Sequence, residues 1–149
     1  MSITISIIIP VYNEKESLEE LYGEIRAATG SFSKREVLFI DDGSTDGTTE
    51  LLQTMAEEYV DVTLIQFYRN YGKAAALAEG FNYATGDYIV TMDADLQDDP
   101  SEINTKLEFE SSNTNINFES EQDRVGSLAR KIIFSHGISS DNFEVIITQ

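Results

Sequence analysis

There is no cysteine among the 149 residues, so neither a disulfide framework nor a thiolate metal site can be built. That fits a reducing compartment. No apolar run approaches the roughly 18 residues of a membrane span. Ile3 to Pro10 is too short, and lacks the basic flank, to be a secretory leader. Basic residues are scarce: 10 Lys and Arg stand against 27 Asp and Glu, a formal net charge of -17. This balance argues against nucleic acid and an anionic membrane surface as direct partners. A nucleotide remains compatible if a metal and a few local cations bridge the charges. The single histidine, His136, has no visible partner set and reads as structural or surface. What is present, 41% hydrophobic residues and a mean hydropathy of -0.24, suits one globular domain large enough to bury a core.

The pattern alternates strand and helix. Ile3 to Ile9 is β-branched, apolar and closed by Pro10, which predicts a buried strand. Asn13 is the expected cap of the next helix, with Glu16 as its capping-box partner; Leu18, Leu21, Tyr22 and Ile25 recur at helical spacing up to Gly30. Glu36 to Asp42 reads as a second strand, Gly43 to Gly47 as a tight turn, and Asp46 as the cap of a helix from about Gly47 to Glu58. Val62 to Phe67 is a third strand. A third helix over Ala74–Ala84 has Ala74, Leu77, Ala78 and Phe81 on one face, and a fourth strand follows over Gly86 to Val90. Such alternation implies an α/β fold with a mostly parallel sheet and helices on both faces. Ligands then bind beyond the carboxyl ends of the strands. Further on, the pattern predicts a helix over Ser101 to Glu110, a short strand over Ile116 to Glu119, a helix over Val125 to Phe134 with Leu128, Ala129 and Ile132 on one face, and a last strand over Phe143 to Thr148.

The fourth strand delivers Met92-Asp93-Ala94-Asp95-Leu96-Gln97-Asp98-Asp99. Carboxylates at the end of an apolar strand are costly without a compensating cation, and a hard divalent ion sharing its shell with phosphate oxygens supplies one. Other phosphate-binding or metal chemistries fail on spacing. The first turn lacks the glycines of a dinucleotide fingerprint, and no G-x-x-x-x-G-K-[ST] occurs. A calcium loop counted from Asp93 would place Asp98 where glycine is needed and Asn104 where glutamate is needed. On residue type alone, Tyr12 also reads as a half-buried strand-end aromatic, Arg69 and Lys73 as solvated charges, and Asp93 and Asp95 as solvated loop acids. Asp41 and Asp46 read as turn and cap residues.

Four stretches in order carry a resemblance: Ile7-Ile8-Ile9-Pro10-Val11-Tyr12-Asn13-Glu14, Phe39-Ile40-Asp41-Asp42-Gly43-Ser44-Thr45-Asp46-Gly47, Arg69-Asn70-Tyr71-Gly72-Lys73 with Ala76-Leu77, and Met92 to Asp98. Together the chain resembles the inverting family 2 glycosyltransferases of GT-A fold, and most of all the branch that makes polyprenyl-phosphate and dolichyl-phosphate sugars. The resemblance covers about residues 3–103. It implies a Rossmann-like GT-A domain over 1–149, with a nucleotide-sugar-binding half at 1–103 and a shortened, divergent acceptor-side segment at 104–149. It also implies a metal-dependent inverting hexosyltransferase of cell-envelope polysaccharide or glycolipid synthesis. Its donor would be a UDP- or GDP-sugar, its metal Mg²⁺ or Mn²⁺ and its acceptor polyprenyl phosphate. The expected location is cytoplasmic, peripheral at the inner membrane face, with a homo-oligomer or a membrane-protein partner left open.

By the same resemblance Pro10, Tyr12 and Glu14 line the nucleotide pocket, with Tyr12 against the base. Asp42 accepts from the base's ring N–H beside Ile40, and Lys73 balances the diphosphate. Asp93, with Ala94 next to it, contacts the ribose or sugar, and Asp95 and Gln97 hold the metal. Arg124, Arg130 and Lys131 match basic positions facing an acceptor phosphate, while Glu119 and Glu121 replace a glycine and an arginine there. A lipid phosphate is already ionised and needs no catalytic base, whereas a sugar hydroxyl does. The second reading is a non-catalytic nucleotide-sugar-binding module completed by a partner chain.

Overall fold

The computed structural model describes residues 3–97, 100, 101, 103, 129–134 and 145–147. Strand β1 (Thr4–Val11) is followed by helix α1 (Leu18–Ala28), β2 (Lys34–Asp41), α2 (Thr48–Glu58), β3 (Val62–Gln66), α3 (Lys73–Tyr83) and β4 (Tyr88–Thr91). Two further strands, β5 (Ala129–Phe134) and β6 (Val145–Ile147), complete one sheet of order β3-β2-β1-β4-β5-β6. Every neighbouring pair is parallel except β5 and β6. The fold is therefore the mostly parallel α/β sheet that the sequence pattern implies.

β1 sits at the centre because its β-branched run can be buried on both sides. Ile5, Ile7, Ile9 and Val11 join Val37 and Phe39 of β2 under α1 and α2, which contribute Leu18, Leu21, Tyr22, Ile25, Leu52 and Met55. The alternate residues Ile8, Leu38, Ile40 and Ile89 face α3 through Ala76, with Leu77 and Phe81 partly buried beside it. Each fully buried Ile or Phe contributes about 1.5–3 kcal/mol. α3 lies close to the sheet because residue 80 is glycine: a Cβ there would sit 2.3 Å from Ile8 Cγ2.

Several local expectations change. Asn13 does not cap α1; it adopts φ 53°, and the helix starts after Ser17. Asparagine tolerates that left-handed conformation and spends its polar groups on the neighbouring loop instead. Asp46 does satisfy the start of α2, accepting from the Thr48 N–H at 3.0 Å, although the cap position itself falls on Gly47. On α3 the buried positions are Ala76 and Gly80, while Ala74 and Ala78 are exposed. An alanine-rich helix has too little contrast between its faces for periodicity to choose the buried one. The helix expected over Val125 to Phe134 is a strand from Ala129 onward, because Ile132, Ile133 and Phe134 can pair with the open edge of β4. The last strand is present as β6. The elements expected over Ser101 to Glu110 and Ile116 to Glu119 lie largely or wholly outside the described residues, as does His136.

At the end of the sheet where the strands begin, Tyr22 Oη donates to Asp61 Oδ1 at 2.6 Å, and the Arg35 guanidinium donates to Asp61 Oδ2. Burial alone would push the Asp61 carboxyl up, but the bonds from Tyr22 and Arg35 and the guanidinium charge carry it below the usual carboxylate value. The Tyr22 hydroxyl is pushed up to about 12, by burial first and then by its bond to Asp61.

Candidate functional site at the carboxyl ends of the strands

The strand order reverses between β1 and β4: β2 and β3 lie to one side of β1, and β4 lies to the other. A crevice opens at such a switch point. Val11 is level with Asp41, and Thr91 is level with Ile8. The chain leaving β4 therefore runs on past the end of β1, and Asp93 to Asp95 arrive beside Pro10 to Tyr12. A cleft of about 480 Å³ results, lined by Pro10, Val11, Tyr12, Glu14, Asp42, Asn70, Gly72, Lys73, Asp93, Ala94 and Asp95.

The loops around this cleft are laced to one another. Asn13 N–H donates to Ser44 Oγ at 3.0 Å, and its side-chain oxygen accepts from Thr45 N–H at 2.8 Å, joining the loops after β1 and β2. Asp42 accepts from Tyr71 and Gly72, joining the loops after β2 and β3. Lys73 Nζ lies 2.5 Å from Asp93 Oδ1, reaching the loop after β4. The Ser17 hydroxyl donates to the Ala94 carbonyl and returns to the start of α1. Asp41 is fully buried and serves the turn, accepting from Ser44 N–H at 3.0 Å and from the Thr49 hydroxyl.

Eight of the expected residues line the cleft: Pro10, Tyr12, Glu14, Asp42, Lys73, Asp93, Ala94 and Asp95. Ile40 does not reach it. Its place on β2 turns it toward α3, and it is fully buried there. Gln97 does not line the cleft either; its backbone N–H donates to Asp95 Oδ1 at 3.2 Å and so helps aim that carboxylate. Arg124 lies outside the described residues.

Arg130 requires a correction. It belongs to β5, not to a helix, and Lys131, the next residue, pairs with Tyr88 at the beginning of β4. Arg130 therefore enters the sheet at the end remote from the cleft. About four residues, or roughly 13 Å of strand, separate it from the level of Phe134. Asn70 and Gly72 also line the cleft, although no site role is expected of them from the sequence. Their signal was available in the Arg69-Asn70-Tyr71-Gly72-Lys73 run, of which only the cation was assigned a role.

Among the described residues the lining carries Glu14, Asp42, Asp93 and Asp95 against one cation, Lys73. An anion such as a diphosphate meets net repulsion there unless a metal ion enters with it. The donors suit a hard ion. Asp93 and Asp95 offer carboxylate oxygens at one mouth of the cleft, and Asp95 is exposed. Among the described residues no group of three or more His, Cys, Asp or Glu is arranged to enclose a metal. Asp93 is taken up by Lys73, so Asp95 is the carboxylate left to a metal, and a hard ion that keeps most of its shell for phosphate oxygens and water needs only one or two protein carboxylates, so the residues fit the group.

The doubly wound α/β sheet, with an acid-rich cleft at its switch point, has the GT-A fold of the glycosyltransferases on which it superposes. The profile described as Glycosyl transferase family 2 matches residues 6–115. The undecaprenyl-phosphate 4-deoxy-4-formamido-L-arabinose transferases of Salmonella paratyphi A and Salmonella dublin are 48% identical over 101 residues, covering 66% of this chain and 31% of theirs. Among solved structures, the mannosyltransferase PcManGT from Pyrobaculum calidifontis, in complex with GDP-Man and Mn²⁺, superposes with a TM-score of 0.58 at 35% identity, covering 64% of this chain and 28% of that one. TarS 1-349 of S. aureus, in complex with UDP, shares the fold with a TM-score of 0.60 at 23% identity over 76% of this chain and 33% of that one. The chain belongs to glycosyl transferase family 2. It spans about a third of the length of the curated relatives it matches.

Proposed function

We propose that this chain carries the donor site of a glycosyltransferase that moves a sugar from a UDP- or GDP-sugar to polyprenyl phosphate, with inversion at the sugar carbon. The observation that carries this reading is the convergence of four strand ends on one cleft whose acids outnumber its cations. Membership of the family, the polyprenyl-phosphate acceptor named for the Salmonella relatives, and the GDP-Man and Mn²⁺ held by the Pyrobaculum enzyme support it. In this reading residues 1–103 form the donor half and 104–149 the acceptor-side segment of one domain over 1–149. In the same reading the work takes place in the cytoplasm at the inner membrane face, where a polyprenyl phosphate acceptor would be met.

Tyr12, half exposed at the mouth, lays its ring against the base, while Pro10 and Glu14 shape the wall. Asp42 would accept from the base's ring N–H with the lone pairs that its bonds to Tyr71 and Gly72 leave. Lys73 turns its ammonium to the diphosphate. Asp93 meets the ribose or sugar, and Asp95, aimed by Gln97, holds the metal together with phosphate oxygens. When bound, Mg²⁺ or Mn²⁺ supplies Lewis-acid stabilisation of the departing nucleoside diphosphate. The lipid phosphate attacks as an anion, so no side chain has to remove a proton. The test is calorimetric titration with UDP- and GDP-sugars with and without Mn²⁺, followed by transfer to polyprenyl phosphate. Metal-dependent donor binding with turnover is the expected result. Binding without turnover would mean a binding module only, and absence of binding would remove the donor-site reading.

A further inference from the structure

Asp42 is nearly buried, at 5% exposure, and both of its carboxylate oxygens contact protein backbone. Oδ1 accepts from Tyr71 N–H at 2.7 Å, and Oδ2 accepts from Gly72 N–H at 3.0 Å. These two amides immediately precede Lys73, the first residue of α3. The next residue after Asp42 reinforces the contact. Gly43 packs on the same loop so closely that a Cβ there would lie 2.5 Å from the Arg69 carbonyl carbon and 2.6 Å from Asn70 N. Three consecutive peptide units after β3 are thus held by two consecutive residues after β2.

We infer that Asp42 is a positioning residue for Lys73: it fixes the entry of α3 and so places the ammonium that faces a diphosphate, whichever base the nucleotide carries. The charge logic supports this. Among the described residues Lys73 is the one cation lining a cleft with four acids, and its Nζ already reaches Asp93 at 2.5 Å. A long, exposed lysine side chain has many rotamers. Its effect on a diphosphate depends on where its backbone starts, and the Asp42 clamp determines that. A base-reading role alone would leave diphosphate affinity independent of Asp42. The inference rests on the reading of the cleft as a nucleotide-diphosphate site.

The probe is inorganic pyrophosphate with Mn²⁺, which has no base to recognise. Its binding to the full chain is measured by calorimetry for the wild type, Asp42→Ala, Asp42→Asn, Lys73→Ala and the Asp42→Ala/Lys73→Ala double variant, with UDP and GDP titrated in parallel. Asp42→Ala is expected to weaken pyrophosphate about tenfold, as loss of a charged hydrogen-bonded clamp does. Asp42→Asn, which keeps one acceptor oxygen, should fall between it and the wild type. The double variant should bind no more weakly than Lys73→Ala alone, because Asp42 acts through Lys73; a general loosening of the fold would instead add to the lysine's loss. If Asp42→Ala does not fold, the Asn variant and its double with Lys73→Ala carry the same comparison. Wild-type affinity for pyrophosphate in the Asp42 variants, with loss confined to UDP or GDP, overturns the inference, and so do additive effects in the double variant. Wild-type protein that binds neither pyrophosphate nor nucleotide would overturn the site reading itself.

Discussion

Replacing Gly43 with alanine tests the contact on which the cleft depends. Gly43 has φ 77°, a left-handed conformation that costs an L-residue about 1–2 kcal/mol. Its Cβ would lie 2.5, 2.6 and 2.9 Å from Arg69 C, Asn70 N and Arg69 Cα, all backbone atoms that cannot rotate away. Restoring ordinary contact requires the loop after β3 to retreat by about 1 Å. Overpacking of this kind costs about 1–3 kcal/mol. Against this, alanine restricts the unfolded chain and returns about 0.4–1 kcal/mol. The net expectation is a loss of about 1–5 kcal/mol, or roughly 2–18 °C in Tm for a domain of this size. The same retreat would carry the Tyr71 and Gly72 amides, now 2.7 and 3.0 Å from Asp42, out of hydrogen-bond range. Urea denaturation reads the stability, and amide hydrogen exchange at Tyr71 and Gly72 reads the clamp. Gly23→Ala is the control: it lies within α1 with nothing within 4 Å of its Cβ, and should gain about 0.5–1 kcal/mol. A Gly43→Ala protein as stable as the wild type, with both amides still protected, would refute the reasoning.

Gly80→Ala gains about 1 kcal/mol of helix propensity but sets its Cβ 2.3 Å from Ile8 Cγ2, so instead of the full gain a net loss of up to about 2 kcal/mol is expected by urea melt. Combined with Ile8→Ala, it should cost less than the sum of the two single changes, and simple additivity would contradict the packing. Asp61→Asn should cost about 1–3 kcal/mol at pH 7 by removing the charge and one of the two oxygens that accept from Tyr22 and Arg35. Because the folded carboxyl lies below its unfolded value of about 3.9, that stability is present above pH 4 and fades as pH falls through the depressed value. The gap between wild type and Asp61→Asn in urea melts should therefore hold from pH 5 to 8 and close below pH 4; a gap that persists in acid would be inconsistent with the linkage. Asp95→Ala is expected to weaken Mn²⁺ binding about tenfold or more, read by electron paramagnetic resonance, while leaving Tm nearly unchanged because the side chain is exposed. A large fall in Tm would point to a structural role instead.

Much of the cleft was legible because the chain concentrates unusual residues at strand ends. Pro10 to Glu14, Asp42, Lys73 and Asp93 to Asp95 stand out against apolar strands, and a parallel sheet necessarily brings its carboxyl ends together. Residues whose role depends on a neighbour in space were harder to read. Asn13 has the sequence context of a helix cap, but the β2 loop offers Ser44 and Thr45 at bonding distance and wins it. Ile40 adjoins the acids in sequence, yet strand alternation turns it into the α3 core. The Ala129–Phe134 segment carries an amphipathic helical period, and the unfilled edge of β4 overrides it.

The sequence by itself determined the alternation of strands and helices, the central burial of the Ile-rich first strand and the identity of most cleft-lining residues, since these follow from local pattern and residue chemistry. Tertiary structure alone decided how the loops lock together: that Asp42 holds the amides before Lys73, that Gly43 and Gly80 are required by close approach, and that Arg130 lies at the far end of the sheet. Those outcomes depend on register and on contacts between segments tens of residues apart, and no local period in the chain encodes them.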